Sequence, residues 1–350
     1  MTRNTWSTST RERKPSTLMQ PVVDPAAWDA AEMARTEAWI YRLNDAENDE
    51  IESAIARAEK SGKDLTEVSR DDFPLPTLAP LLADFQHELM LGRGFSLLRG
   101  IRFDKLTKIQ AAIAFWGVGL YIGKPVSQNI HGHVLAHVKF QGGQNGQDRG
   151  YTTQGALGFH CDSADVLGLG VVNTGKSGGE HRIASSASVY NDLLKKHPEF
   201  VAVLGEPMHR SRSGDGFGNA VPWIIQRTFN FTDSYFSCRS AGGSMMAAQK
   251  YPEVPRLTPT QIEAVEAFKE AANRLSMAIP FQRGDFFYVT NHTNMHSRSA
   301  YEDWPEPERK RHLMRIWLKN GLRPLPEEIG KFMEGTPTKA PRLSAVLEVA

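Results

Sequence analysis

The sequence predicts an α+β protein whose body is mainly β, a decorated barrel or sandwich rather than a doubly wound parallel sheet. Three observations carry this. Helical periodicity comes first in the chain and returns later only as insertions. From Gly123 onward glycine and β-formers dominate. The run from Arg311 to Leu318 alternates, with large apolar side chains on both faces, as in a strand covered on both sides.

The elements follow in order. Residues 1–22 are polar and read as a disordered tail. Residues 24–60 are rich in Ala and Glu, with Trp28, Met33, Trp39, Ile40 and Leu43 spaced for one helix face. Leu78, Leu81, Leu82, Phe85 and Leu89 form an amphipathic stripe that ends at the Gly92–Gly94 breaker. Residues 95–100 read as a short strand, and Leu106 to Tyr121 as a helix. Gly142 to Gly150 is a Gly/Gln-rich loop. Residues 156–173 are extended, and Ser188 to His197 is a helix stopped by Pro198. Residues 211–220 form a Gly/Ser-rich loop. Thr258, Pro259 and Gln261 open a further helix with a capping box and a proline at its first position. Ile262, Val265, Phe268, Ala272 and Leu275 make its buried stripe. Strands follow over Asp285 to Asn291 and Arg311 to Leu318. One domain over residues 23–325, with a C-terminal extension over 326–350, accounts for this order.

Composition narrows the function. The 350 residues carry 41 basic and 40 acidic side chains, a net charge of +1. That balance gives no reason to expect nucleic acid or an anionic membrane as partner. No stretch of 18 apolar residues exists to span a bilayer. Residues 1–20 contain no 7–15-residue apolar segment of a secretory signal, only a faint Arg/Ser likeness to a transit peptide. Two cysteines make no disulfide framework, so a reducing cytoplasm is the expected location. A small molecule is then the expected partner, with a homo-oligomer left open.

The chemistry-bearing residues begin with Gly158-Phe159-His160-Cys161-Asp162. Side chains alternate along extended chain, so His160 and Asp162 share a face and Cys161 points away. Alone, such a pair is commonly a solvated surface feature. With a second imidazole from elsewhere it makes a 2-His-1-carboxylate facial triad, which suits non-haem Fe(II) because it leaves coordination positions open. Candidates for the third ligand are His292 and His296. Their i, i+4 spacing also fits a zinc protease, but the required Glu after the first His is replaced by Thr293.

In the last strand, alternation sets Arg311, Leu313, Arg315 and Trp317 on one face. An arginine facing a covered interior requires a carboxylate, because an unpaired buried charge is costly. A dicarboxylate cosubstrate would supply one in bidentate fashion. Arg315 lies about 13 Å further along the strand at roughly 3.3 Å per residue, where it is expected to meet a second anion. Asn129 and His131, after Gly123-Lys124-Pro125, are candidate substrate contacts, as is Ser163 beside Asp162. His131-x-His133 has the look of a cupin-type metal pair without a nearby carboxylate to complete it.

His160-x-Asp162, Gly178-Gly179, Gly284-Asp285, Asn291, His296 and Arg311-x3-Arg315 together resemble the TauD/TfdA dioxygenase family, which includes taurine and 2,4-D dioxygenases, over roughly residues 80–320. The resemblance implies a double-stranded β-helix, or jelly roll, with N-terminal and inserted helices. It implies an Fe(II)-, 2-oxoglutarate- and O2-dependent dioxygenase that oxidises a C–H bond, with hydroxylation as the default outcome, and releases succinate and CO2. By that similarity His160, Asp162 and His296 are iron ligands and catalytic residues. Arg311 holds the distal carboxylate of 2-oxoglutarate, and Arg315 meets an anionic substrate group such as carboxylate, sulfonate or phosphonate. Two departures stand out. His181 follows Gly178-Gly179-Glu180 where the family has Thr or Ser, so an imidazole takes over that cosubstrate contact. The segment from His296 to Arg311 is longer, with a Pro305-Glu306-Pro307 loop. Rival readings are a catalytically silent jelly-roll binding protein and a metal-dependent hydrolase using the same ligands.

Overall fold

Two β-sheets face one another in the computed structural model, which describes residues 5–140, 152–212 and 221–347. The larger has eight strands, with path order 40–42, 95–99, 286–290, 166–173, 312–319, 133–138 and 344–345; the short strand at 124–125 pairs beside 312–319. The smaller has four, ordered 276–279, 181–185, 294–298 and 157–160. Antiparallel pairing prevails, with parallel contacts only at the outermost strands. This is the jelly roll that the sequence suggested.

Burial follows from strand alternation. In the 312–319 strand, Leu313 and Trp317 enter the core between the sheets with Leu167, Leu169, Val171, Ile183 and Phe287. Met314, Ile316 and Leu318 face the other way, into a second core under the helices Asp45–Ser61, Ala79–Leu91 and Lys108–Ile122. A third core lies outside the small sheet, where helices Ser186–Lys196, Pro198–Leu204 and Pro259–Arg274 pack around Tyr190, Phe229, Phe236 and Phe268. The strand is covered on both faces, as its composition requires.

Capping explains the helix starts. Thr107 and Gln110, and Thr258 and Gln261, each form a reciprocal capping box. Asn44 and Glu47 make a third.

Several expectations need correction. The region 24–60 is not one helical face: Ile40–Arg42 is a strand pairing with Leu97–Arg99, between helices Ala30–Ala34 and Asp45–Ser61. Trp39 and Ile40 are buried by the sheet, a tertiary contact that helical spacing does not encode. Pro198 opens a new helix rather than only ending the previous one, since proline fits a first helical turn. Ile262 is 41% exposed and lies off the buried stripe.

Residues 5–22 are not a free tail. The Trp6 ring packs 4.9 Å from Phe85 and its indole donates to Ser96 Oγ. Arg13 pairs with buried Asp24, which also meets buried Arg323. The C-terminal extension likewise joins the body: Ser344–Ala345 adds a strand beside His133–Leu135. The loop expected at Gly142–Gly150 and most of that at 211–220 lie outside the described residues.

Gly94 shows how tightly the sheets are joined. It sits at φ +90°, and a Cβ there would collide with the Asn294 amide and press on Thr290 and Thr293. That amide is itself fixed, donating to the Arg93 carbonyl while its oxygen accepts from the Trp28 indole. Gly94→Ala is expected to lower the unfolding free energy by about 2 kcal/mol or more, combining backbone strain with overpacking. Urea titration should show a lower midpoint with an unchanged slope.

The imidazoles of His137 and His312 meet at 2.6 Å, and His137 Nε2 lies 2.6 Å from the Val346 carbonyl. Burial, then His137 and Lys139, hold His312 down at about 3. Burial and the nearby Lys139 also lower His137. An unfolded histidine protonates near 6.5, whereas this folded one resists until about 3. The unfolded state therefore binds more protons, and stability falls as pH drops below about 6.5. A His312→Gln variant should show a shallower loss of denaturant midpoint between pH 7 and 5 than the wild type.

Candidate active site

Strand pairing builds the site. The central strand Asn294–Arg298 of the small sheet pairs on one side with Leu157–His160 and on the other with His181–Ser185. Its register sets His296 opposite His160. Directly paired residues share a face, so both imidazoles enter the space between the sheets. Their centroids are 4.2 Å apart. The first strand ends at His160, and Asp162 lies just beyond it.

Asn291 holds this exit in place. Its side-chain oxygen accepts from the Asp162 N–H, and its amide donates to the Ala164 carbonyl. Buried Arg239 donates to the Asp162 carbonyl from the other side. Cys161 points away, its thiol 3.5 Å from the Asn294 carbonyl, as alternation requires.

One donor atom from each of His160, Asp162 and His296 lies within 4.8 Å of the others. Both imidazoles turn Nε2 toward the carboxylate, at 3.8 Å each. His160 Nδ1 lies 2.9 Å from the Gly158 carbonyl, a bond that puts the proton on Nδ1 and leaves Nε2 bare. Trp317 donates to Asp162 Oδ2 at 2.9 Å. The donor set therefore fits a divalent transition metal: two neutral imidazoles and one carboxylate with an uncommitted oxygen.

Electrostatics agree. Burial, with help from His160, lowers His296 to about 3, against the pull of Asp162. Burial pushes the Asp162 carboxyl up, but His296, Arg315, His160 and the Trp317 N–H outweigh it, so it stays below the usual range. Both groups are thus in the deprotonated form that metal ligation needs.

Beside the triad lies a second set of residues. Arg311 is buried, and among the described residues its Nη1 has no hydrogen-bond partner. No carboxylate among the described residues forms an ion pair with it. Burial and neighbouring Arg298 lower it to about 10. The Gly178-Gly179 turn makes room for it: both have φ near +68°, and a Cβ on Gly179 would sit 2.9 Å from Arg311 Nε. His181 is buried with Nε2 unpartnered, stacked on Phe281 and 5.7 Å from the His296 ring. Burial, then His296 and Arg311, keep it neutral far below the ordinary histidine range.

Arg315 also lies inside, its Nε donating to Gln128 Oε1 at 2.6 Å and its guanidinium 5.2 Å from the Trp317 ring. Other expected contacts are not at the triad. The Asn129 side chain closes its own turn, accepting from the N–H groups of His131 and His133. His131 is exposed, its ring 5.7 Å from that of His133. Ser163 follows Asp162, and its carbonyl accepts from the Gly335 N–H. Gln128, fully buried beside Asn129, is the residue of that segment that reaches the interior. His292 is buried against Asp165 at 2.8 Å and takes no part in the triad.

A jelly roll with two histidines and a carboxylate at its mouth defines the class of non-haem metal oxygenases. Residues 61–317 match the taurine catabolism dioxygenase TauD, TfdA family. The chain belongs to that family, and membership makes it an Fe(II)- and 2-oxoglutarate-dependent dioxygenase. It is 28% identical to FR-33289 synthase of Streptomyces rubellomurinus, over 86% of this chain and 91% of that protein. It is 26% identical to taurine hydroxylase-like protein SAT17 of Stachybotrys chartarum, over 84% of this chain and 78% of that protein. Among solved structures, asparagine oxygenase with Fe(II), hydroxyasparagine and succinate superposes with a TM-score of 0.65 at 17% identity, over 80% of this chain and 93% of that one. The oxygenase OrfP with Fe and alpha-ketoglutaric acid does so at 0.60 and 15%, over 81% and 95%.

Proposed function

We propose that this dioxygenase hydroxylates a C–H bond of a small anionic substrate in the cytoplasm, with His160, Asp162 and His296 as its iron ligands. The observation that carries this is the convergence of their three donor atoms within 4.8 Å. When bound, Fe(II) with 2-oxoglutarate supplies the oxidising chemistry: O2 is consumed, succinate and CO2 leave, and one oxygen atom goes to the substrate.

The chain's own residues do the rest. Arg311 receives the distal carboxylate of 2-oxoglutarate, which supplies the missing counter-charge of the buried guanidinium. His181, neutral, offers its unpartnered Nε2 as a hydrogen-bond donor to the cosubstrate, in place of a hydroxyl. Arg315, oriented by Gln128, turns its positive charge toward the substrate. Asparagine, arginine and taurine, named among the relatives and neighbours, are zwitterions that each carry a carboxylate or sulfonate, which supports a substrate bearing an anionic group. Two free cysteines agree with a reducing compartment. No helix among the described residues is long and apolar enough to cross a membrane.

Succinate release from 2-oxoglutarate, screened against small carboxylates, sulfonates and phosphonates, tests the reading. One of these acids should stimulate release, and His160→Ala, Asp162→Ala or His296→Ala should abolish it. Stimulation only by compounds without a carboxylate, sulfonate or phosphonate group would remove the anionic substrate group from the reading.

Arg311→Ala should raise the KM for 2-oxoglutarate at least about 30-fold, since truncating one partner of a desolvated charge pair costs about 2–5 kcal/mol. A comparable effect from Arg315→Ala instead would reassign the two arginines.

His292→Asn should keep Fe(II) affinity and lose about 1.5–3 kcal/mol of stability, because it removes the imidazole's hydrogen bond to the buried Asp165 carboxylate and leaves that of the Asn320 N–H. His296→Asn should keep the fold and lose metal binding. Calorimetric titration with Fe(II) and denaturant melts separate the two.

A further inference from the structure

Trp317 stands where three features meet. It is buried in the core between the sheets, its indole N–H donates to Asp162 Oδ2 at 2.9 Å, and its ring lies beneath the Arg315 guanidinium at 5.2 Å. Among the described residues Oδ1 of Asp162 has no hydrogen-bond partner and faces His160 Nε2 at 3.8 Å, while His296 Nε2 lies 3.8 Å from Oδ2. The indole therefore marks one carboxylate oxygen and leaves the other free.

We infer that Trp317 is a positioning residue for the metal site, holding Asp162 to ligation through one oxygen. The inference rests on the reading that His160, Asp162 and His296 hold the metal.

A carboxylate can bind a metal through one oxygen or two, and the second mode takes a position that substrate-side chemistry requires. A hydrogen bond to Oδ2 opposes that rotation. Indole N–H is donor only, so it always competes for the carboxylate and never offers a lone pair to the metal. The donor is itself fixed. Trp317 belongs to a strand paired along its length with residues 166–171, and the guanidinium above it is anchored by Gln128, whose amide donates to the Val134 and Arg315 carbonyls. A rigid donor on a ligating group is the usual way a protein tunes a metal site, and its loss typically costs about 10–100-fold in metal affinity or activity.

The test uses the full chain loaded with Mn(II) or Co(II) without cosubstrate. Trp317→Phe keeps most of the ring and removes the N–H. Should it fail to fold, benzothienylalanine at 317 keeps the bicyclic shape and lacks the donor. We expect Co(II) affinity to fall about 10–100-fold, and the water-proton relaxivity of the Mn(II) form to drop as a second carboxylate oxygen displaces water. The denaturant midpoint of the benzothienylalanine protein should stay near that of the wild type. A purely structural role would move the midpoint and leave metal affinity and relaxivity of the folded protein unchanged, and that result overturns the inference. Asp162→Ala separates the two levels. If the wild type binds Co(II) no better than Asp162→Ala, the ligand set itself is wrong and the inference falls with it. If Asp162 matters and removal of the indole N–H does not, only the role of Trp317 is lost.

Discussion

The antiparallel register that places His296 opposite His160 is the constraint on which the site depends. A slip of the Asn294–Arg298 strand by one residue would turn His296 to the other face, send a neighbour such as Met295 inward and separate the two imidazoles. Two features block such a slip. His296 and Arg298 flank a bulge against the 157–160 strand, so the pairing has one place to fit. At the start of the same strand, Asn294 reaches over Gly94 to the Arg93 carbonyl and the Trp28 indole. The N-terminal region, the large sheet and the metal-site strand thus lock at a single buried amide. Packing around that amide fixes where the ligands stand.

The charge pattern inside the barrel separates structure from function. Arg99 with Asp285 and Arg93 with Glu88 are buried pairs in which each charge finds its partner. Asp165 is shared by His292 and the Asn320 N–H. These charges are paired within the protein and hold it together. Arg311 differs: it is buried with no carboxylate ion pair among the described residues, and there its Nη1, like Nε2 of buried His181, has no hydrogen-bond partner. Burial lowers the pKa of both, which measures the cost of keeping their charged forms away from water. A fold tolerates such a cost where a ligand offsets it. On the proposed reading a dianionic cosubstrate would do so at Arg311 through a charge-assisted contact, and its binding would stabilise the fold by mass action.

Much of this was legible in the sequence, for physical reasons. His160 and Asp162 stood out because a two-residue spacing has a definite meaning on extended chain. The 312–319 strand was recognisable because alternation with apolar residues on both faces has one simple explanation. The capping box at Thr258 is local chemistry and needs no tertiary context. What was hidden depends on contacts distant in sequence. Residues 5–22 are polar and resemble a tail, yet their order comes from Phe85, Ser96 and Asp24, which hydropathy does not connect to them. Trp39 and Ile40 fit a helical stripe and were taken by a sheet edge. In the 128–133 segment the polar side chains looked alike. Only the fold shows that Asn129 is spent on its own turn while Gln128 reaches Arg315. The Trp317–Asp162 bond joins residues 155 apart, and a tryptophan in a core strand ordinarily reads as packing.

Support for the ligands extends beyond the matched family region, which ends at residue 317. The chain continues past the end of the large sheet and returns along the site. Gly335 N–H donates to the Ser163 carbonyl, one residue after Asp162. Thr336 bonds the carbonyls of Ser127 and Gln128, so the amide that orients Arg315 is backed by the same segment. Phe332 lies 4.2 Å from the guanidinium of Arg239, which holds the Asp162 carbonyl. Two of these contacts, from Gly335 and Phe332, therefore reach groups one residue or one bond from Asp162, and the Thr336 bonds back the Gln128 that holds Arg315. The triad and its register come from the jelly roll common to the family. The precision with which Asp162 and Arg315 are held comes partly from a segment outside it, and that segment is itself constrained: Gly335 sits at φ +83°, and a Cβ there would lie 2.6 Å from the Ser127 carbonyl.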